Sequence, residues 1–255
     1  MISSKKNNLN FSTYPKVTVV TVVFNGKPNI GRTIESVLAQ NYPNIEFIVI
    51  DGASTDGTGE IIKEYEAKLD LFISEPDDGV YDAMNKAIGQ ATGEFILFMN
   101  CGDVFASSDA ASSAMQFIQP GCEQILFGQW LRSEGDASMK LCSPVIEKGF
   151  FNHQAVIYSR SIHSWHGEYV NVKGLTTADY LFFVTLFNST AVKCKLINTT
   201  IAIIDVNGLS AGPQTLSQKT SIDFLCGRVG KFRLLIVLVI HPIYRQIKLL
   251  LSKVL

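Results

Sequence analysis

Short, unbroken apolar runs alternate with amphipathic stretches along the first hundred residues, and each run stops on turn-forming or acidic residues. Residues 17–24 read VTVVTVVF and end at Asn25-Gly26. Residues 46–50 (EFIVI) end at Asp51-Gly52, residues 71–74 (LFIS) at an acidic loop, and residues 95–99 (FILFM) at Asn100-Cys101-Gly102-Asp103. Apolar runs this short, rich in β-branched and aromatic residues, read as strands covered on both faces, as in a parallel sheet. The intervening stretches have helical periodicity. Asn29 is placed to cap a helix whose Ile30, Ile34, Val37 and Leu38 share a face. Residues 60–68 form a second helix with Asp56 or Thr58 as its cap, and residues 81–90 (YDAMNKAIGQ) a third. Repeated strand–helix–strand units imply right-handed crossovers, so the carboxyl ends of the strands share one rim, where open α/β sheets bind ligands.

The second half is less regular. Residues 125–130 and 155–158 read as strands, with a hairpin or loop over 133–143 between them. Thr176-Thr177-Ala178-Asp179-Tyr180 opens an apolar helix over 181–187, and a strand at 201–206 runs into Asn207-Gly208-Leu209-Ser210. After Phe224 there is no Asp or Glu, but Arg228, Lys231, Arg233, Arg245, Lys248 and Lys253 are present. The apolar run 234–240 is too short to span a bilayer and Pro242 interrupts it. Such a basic amphipathic tail either lies in the headgroup plane of an anionic membrane or packs on the domain or in a dimer.

Composition narrows the classes. A chain of 255 residues, 47% hydrophobic, can bury one large α/β domain with an appendage. The net charge of −1 gives no reason to expect nucleic acid as a partner. Five scattered cysteines without a CxxC pair fit neither a disulfide framework nor a zinc site, and suit a reducing compartment. The first fifteen residues are polar, read as a loose tail, and lack the apolar core of a signal peptide. No GxGxxG follows the first strand and no Walker lysine loop is present, which removes the main support for a dehydrogenase or P-loop enzyme.

The polar residues that remain at the rim are candidates for chemistry. Asp51 at a strand end can accept hydrogen bonds from a base or ribose. Asp103, on a turn with a glycine, either holds a hard cation through oxygen or caps the next helix. The loop Glu75-Pro76-Asp77-Asp78-Gly79 lies on the same rim. Lys86 either approaches a diphosphate or pairs with Asp82 one turn away. Asp179 sits where a carboxylate complements the positive end of a helix. Trp165 either stacks on a sugar or anchors its loop, together with His163 and His166.

Four blocks carry a family resemblance: the first strand with Thr21, Phe24 and Asn25; IVIDGASTDGT; SEPDDGVYDAMNKAI; and GEFILFMNCGD. In order and at these intervals they resemble the inverting glycosyltransferases of family 2, and most closely those that build bacterial O-antigen and exopolysaccharide repeat units. The likeness covers roughly residues 16–210. It implies the GT-A nucleotide-diphospho-sugar transferase fold: an α/β domain at 16–223 with a mixed, mainly parallel sheet flanked by helices. Its nucleotide-binding half would be 16–105 and its acceptor half 106–223, with amphipathic helices at 224–255. By resemblance Thr21, Phe24, Asn25 and Asp51 line the nucleoside pocket, Asp78 lies on the loop that closes over the donor and Ser210 on a turn over the diphosphate. Asn100-Cys101-Gly102-Asp103 takes the place of the family's DxD-type motif, with Asn100 for the first acid and Asp103 as ligand to Mn²⁺ or Mg²⁺. Asp179 matches the catalytic base, although Ala178 stands where another acid usually precedes it. His153 and Trp165 fall on the acceptor side.

The implied activity is transfer of one sugar, glucose or galactose in β linkage, from a UDP-sugar to a polyprenyl-diphosphate-linked saccharide. The implied location is the inner face of the bacterial plasma membrane, where the protein is cytoplasmic and peripheral. The rival in another class is a non-catalytic sugar- or nucleotide-sugar-binding derivative, which Asn100 and Ala178 would fit. A nucleotidyltransferase would want a Gly- and Arg-rich loop after the first strand, and a processive synthase would want membrane spans and a QxxRW-like block. Neither occurs in the sequence.

Overall fold

The computed structural model describes residues 14–133, 138–187, 189–204 and 214–240. Its first half follows the apolar pattern. Strand β1 (Val17–Val23) is buried along its whole length, and helix α1 (Ile30–Leu38) lays Ile30, Ile34 and Val37 against the sheet. Strand β2 (Ile45–Asp51), helix α2 (Thr58–Tyr65), strand β3 (Leu71–Ser74), helix α3 (Val80–Gln90) and strand β4 (Phe95–Phe98) complete the nucleotide half. The four strands run parallel in the order β3-β2-β1-β4, with Val23 beside Asp51 and Asp51 beside Ser74. Their carboxyl ends therefore form one rim.

Every second residue of these strands faces the same helix layer, because the pleat has a period of two. Val20, Val22, Ile48, Ile50, Ile96 and Phe98 pack toward α3 and the later helices. Val17, Val19, Phe47, Val49, Phe95 and Leu97 pack toward α1. Both faces are dry, which is why the runs carry no polar alternation.

The second half extends the same sheet. A two-residue strand β5 (Val104–Phe105) and helix α4 (Ala110–Met115) lead to the long strand β6 (Glu123–Ser133), which pairs with β7 (Met139–Cys142) as the expected hairpin. A 3₁₀ turn at His153–Ala155 delivers the chain into β8 (Val156–Ser159). β8 lies antiparallel between β4 and β6 and fuses the two halves. Residues 163, 165 and 166, expected in a loop, form a short helix α5 (His163–His166). Helix α6 (Ala178–Leu186) is apolar on nearly every side and accordingly buried, with Phe183 inside an aromatic cluster of Phe127, Phe151 and Phe187.

Strand β9 (Val192–Ile204) begins well before the expected residue 201. Its early part is half-exposed and carries Lys193 and Lys195, so it lacks the apolar signature of the central strands. Helix α7 (Gln214–Leu225) packs on α6, and α8 (Lys231–Leu235) follows, so the expected division at residue 224 falls inside a helix. The turn 207–210, with Ser210, and the tail beyond 240 lie outside the described residues. The whole is a mixed sheet in the order β3-β2-β1-β4-β8-β6-β9-β5, with β7 on β6 and helices on both faces.

Candidate active site

The rim is built first from two interlocked turns. After β1 the backbone of Asn25 turns left-handed, with φ of 49°. Its N–H donates to Ser54 Oγ at 2.7 Å, and its side-chain oxygen accepts from Thr55 N–H at 2.9 Å. Gly26 N–H and Lys27 N–H reach Thr58 Oγ1 and Asp56 Oδ2. A side chain at Gly26 would collide with Cys101 Sγ, so glycine is needed for the first strand's turn to meet the fourth's. Asp51 is buried. It accepts from Ser54 Oγ at 2.5 Å and from Ser74 Oγ at 2.7 Å, and so locks the second turn to β3. Phe24 stands out from this frame with 63% of its surface exposed, an open aromatic face at the rim. Gly52 lets the Asp77 carboxylate approach within what would be the radius of a Cβ.

Several expected donor contacts sit elsewhere. Thr21 is fully buried and donates to Met99 O at 2.7 Å, tying β1 to the end of β4 beneath the rim rather than lining it. Its position within the strand, three residues short of the exit, puts it in the interior. Lys86 has its ammonium engaged by Glu75, Asp82 and Pro76 O, so it fastens the acidic loop to α3. Asp78 is exposed on that loop, with its N–H bonded to Asp82. Trp165 donates to Glu123 Oε2 at 2.9 Å. Glu123 begins β6, and β6 runs parallel to β4, so Trp165 lies at the opposite edge of the sheet from the strand ends. It anchors α5 there and belongs to no acceptor wall around Asp179.

At the centre of the rim, α1 holds the turn after β4. Arg32 donates to Gly102 O at 2.7 Å, Gly102 N–H donates to Thr33 Oγ1, and that hydroxyl donates to Asp103 O. Asp103 is buried and accepts from Gln154 Nε2 at 2.5 Å. The side chain of Asn152 accepts from Gln154 N–H and so shapes the 3₁₀ turn that presents His153 and Gln154 to this place.

A line of side chains then crosses from the donor rim to the far wall. Asn100 Nδ2 lies 3.1 Å from His153 Nε2, and His153 Nδ1 lies 2.9 Å from Asp179 Oδ2. Tyr81, on the first turn of α3, donates to Asp179 Oδ1 at 2.7 Å. His153 thus bridges Asn100 and the Asp179 carboxylate through its two ring nitrogens. Burial pushes the Asp179 carboxyl up, but His153, Tyr81 and the charge of Lys219 outweigh it and hold it at about 2. Burial and the Asp179 charge drive the Tyr81 phenol far above its ordinary range, so it stays a donor. The Asp179 side chain keeps 14% of its surface open, enough for one further oxygen to reach it.

The expected metal position can be tested on its donor set. Among the described residues no group of three or more His, Cys, Asp or Glu side chains is gathered for a metal. Asn100 Oδ1 and Gln154 Oε1, on the residues that bracket Asp103, are buried without a hydrogen-bond partner. One carboxylate with two unsatisfied amide oxygens is a hard oxygen set, which suits Mg²⁺ or Mn²⁺ better than a soft ion. The residues fit such a cation.

Tyr81, Gln154, Arg32 and Thr33 were not foreseen as site residues. Thr33 left a signal: it falls on the buried face of α1 between Ile30 and Ile34, where a hydroxyl needs a partner. Tyr81 left none, because an aromatic at that helical position reads as core.

The open parallel rim thus carries an exposed aromatic and a buried acid turn, with the Asp179 carboxylate on its far side. The chain belongs to glycosyl transferase family 2, whose model matches residues 18–192, from β1 to the start of β9. A PGL/p-HBAD biosynthesis glycosyltransferase of Mycobacterium bovis is 25% identical over 236 residues, 88% of this chain and 90% of that protein. An uncharacterized glycosyltransferase of Mycobacterium tuberculosis is 39% identical over 105 residues, 41% of this chain and only 40% of its own length. A putative teichuronic acid biosynthesis glycosyltransferase of Bacillus subtilis, TuaG, is 33% identical over 107 residues, 41% of this chain and 42% of that protein. Among solved structures, residues 1–349 of S. aureus TarS in complex with UDP align at a TM-score of 0.65 and 20% identity, covering 81% of this chain and 64% of that one. The mannosyltransferase PcManGT of Pyrobaculum calidifontis, in complex with GDP-Man and Mn²⁺, aligns at 0.65 and 19%, covering 86% and 66%. These likenesses establish the fold as GT-A.

Proposed function

We propose that this enzyme transfers a single sugar, with inversion, from a UDP-sugar to a lipid-diphosphate-linked saccharide during assembly of a surface polysaccharide such as an O-antigen. Glucose or galactose, delivered in β linkage at the inner face of the plasma membrane, is the specific form of this reading. The observation that carries the reaction type is the placement of Asp179. Its carboxylate is clamped between Tyr81 and His153 and faces the donor rim through His153 and Asn100. The UDP donor is supported by the exposed Phe24 face beside the Asp51 turn and by the UDP held in the TarS structure.

Inverting transfer is one displacement. The acceptor oxygen forms a bond to the anomeric carbon as the bond from that carbon to the diphosphate breaks, and the hydroxyl proton goes to Asp179. A carboxyl held at about 2 is ionised at any working pH. It is a weak base, and it suffices because the hydroxyl becomes acidic only as its oxygen bonds to carbon. Tyr81 and His153 use one lone pair on each carboxylate oxygen and leave the other free. Asp103, Asn100 Oδ1 and Gln154 Oε1 would hold Mn²⁺ or Mg²⁺, which supplies charge neutralisation to a diphosphate leaving group.

The test is transfer by purified protein from a panel of UDP-sugars to a lipid-diphosphate-GlcNAc or -GalNAc analogue with Mn²⁺. Asp179→Asn should lower kcat by about 10²-fold or more while UDP affinity by calorimetry stays unchanged. Near-normal turnover by Asp179→Asn would remove Asp179 as the base. Turnover with GDP-sugars alone would remove the UDP assignment.

A further inference from the structure

The helices after the catalytic sheet carry an outward surface that the transfer reaction does not use. The inner side of α7 is fully committed. Gln218 Oε1 accepts from Thr177 at 3.1 Å, and Asp223 accepts from Tyr180 at 2.7 Å and from Arg228 at 3.0 Å. Arg228 also donates to Ile146 O. The outer side is different. From the end of α7 onward, Leu225 is 82% exposed and Phe232 74%, and Leu235 and Leu238 are exposed as well. Phe232, Leu235 and Leu238, spaced three apart, make one stripe, while Leu234, Ile236 and Val237 are half-covered on the other side. An exposed apolar stripe of this kind marks an interaction surface.

Charge decides which partner. Lys231 and Arg233 flank Phe232 and are exposed. Asp223 is the last acid in the sequence; after it come Arg228, Lys231, Arg233, Arg245, Lys248 and Lys253. A second copy meeting this face across a two-fold axis would bring like charges together. A bilayer rich in anionic headgroups instead takes the apolar stripe below its phosphates and the cations at them. No helix among the described residues is long and apolar enough to cross a membrane, so the stripe lies along the surface.

We propose that the outer face of α7 and α8 docks this enzyme in the headgroup plane of an anionic membrane. Gln218 of α7 holds Thr176 and Thr177, the residues just before Asp179. Docking there would set the acceptor side of the catalytic site next to the bilayer. The inference is independent of the acceptor's identity, because it concerns binding and not turnover.

The experiment is co-sedimentation of the full chain with phosphatidylcholine vesicles and with vesicles of phosphatidylcholine plus phosphatidylglycerol. The protein should pellet with the mixed vesicles, stay in solution with pure phosphatidylcholine, and be released by salt. Phe232→Asp with Leu235→Asp should cut binding about tenfold or more, and so should Lys231→Glu with Arg233→Glu, whose side chains are solvent-facing and leave folding intact. Both double variants should retain UDP binding. Equal binding of the charge-reversed protein, or no binding to anionic vesicles by the natural chain, would overturn the proposal. A natural dimer split by the Phe232 and Leu235 changes would also overturn it, and would assign the face to a second copy.

Discussion

The Asp179 carboxylate, the base of the proposed reaction, is held by two neighbours that reach it from different elements. Tyr81 comes from the helix that follows the donor loop, and His153 from the 3₁₀ turn before β8. A hydrogen bond to a charged group is worth about 1.5–3 kcal/mol, so Tyr81→Phe should lower kcat by roughly 10- to 100-fold with the KM for donor little changed. The phenol also helps to hold the Asp179 carboxyl low. Without it that carboxyl rises, and the acid limb of the pH–rate profile should move to higher pH. An unmoved limb with unchanged kcat would reduce Tyr81 to a packing role. At this scale the sequence yields charged residues more readily than their partners. Asp179, Asn100 and Asp103 stand out as polar residues at element ends. Thr21 turns into the core instead of lining the rim, and of the two readings of Trp165 the anchor holds, because side-chain direction and sheet edge depend on pairing that no local pattern encodes.

Among the elements, the amino-terminal edge of the sheet is fastened by one buried acid. Glu46 of β2 accepts from Thr18 of β1 at 2.5 Å and from the Thr92 N–H just past α3 at 2.8 Å, with Lys16 at 3.3 Å and a short contact from the Thr92 hydroxyl. Burial pushes its carboxyl up, but these donors win and bring it from 4.5 down to about 2. A carboxyl depressed in the folded state contributes stability above its unfolded value and loses it as pH falls through the folded one. The contribution, roughly 3 kcal/mol at neutral pH, should fade between about pH 5 and 2. Urea unfolding of Glu46→Gln should therefore show a marked loss at pH 7 and a flattened pH dependence over that window. An equal loss at every pH would mean that packing, and not charge, is what the substitution removes. The strands around Glu46 were legible because both their faces are buried. The early part of β9 and the two-residue β5 were not. β9 has one open face that tolerates Lys193 and Lys195, and β5 exists only by pairing with β9.

For the molecule as a whole, β8 is the joint. It pairs with β4 of the first half and with β6 of the second, so one continuous sheet underlies both. The dry layer on one face draws residues from both sides, Ile48 and Phe98 with Phe127 and Phe183. Such a core should unfold as a unit. Fluorescence, from buried Trp130 and half-exposed Trp165, and far-UV circular dichroism should trace the same urea transition. Two separated transitions would show that the halves are independent domains.

The sequence alone determined the four parallel strands of the first half, because doubly buried strands and their turn residues leave a local, periodic record, and its four motif blocks carried the family resemblance. It also marked Asp51, Asp103 and Asp179 as candidates by their places at strand ends and at a helix start. Only the tertiary structure decided which of these residues meet. The approach of Tyr81 and His153 to one carboxylate and the turning of Thr21 into the core follow from strand order and helix packing. Those are set by contacts between residues far apart in the chain, and no stretch of sequence carries them by itself.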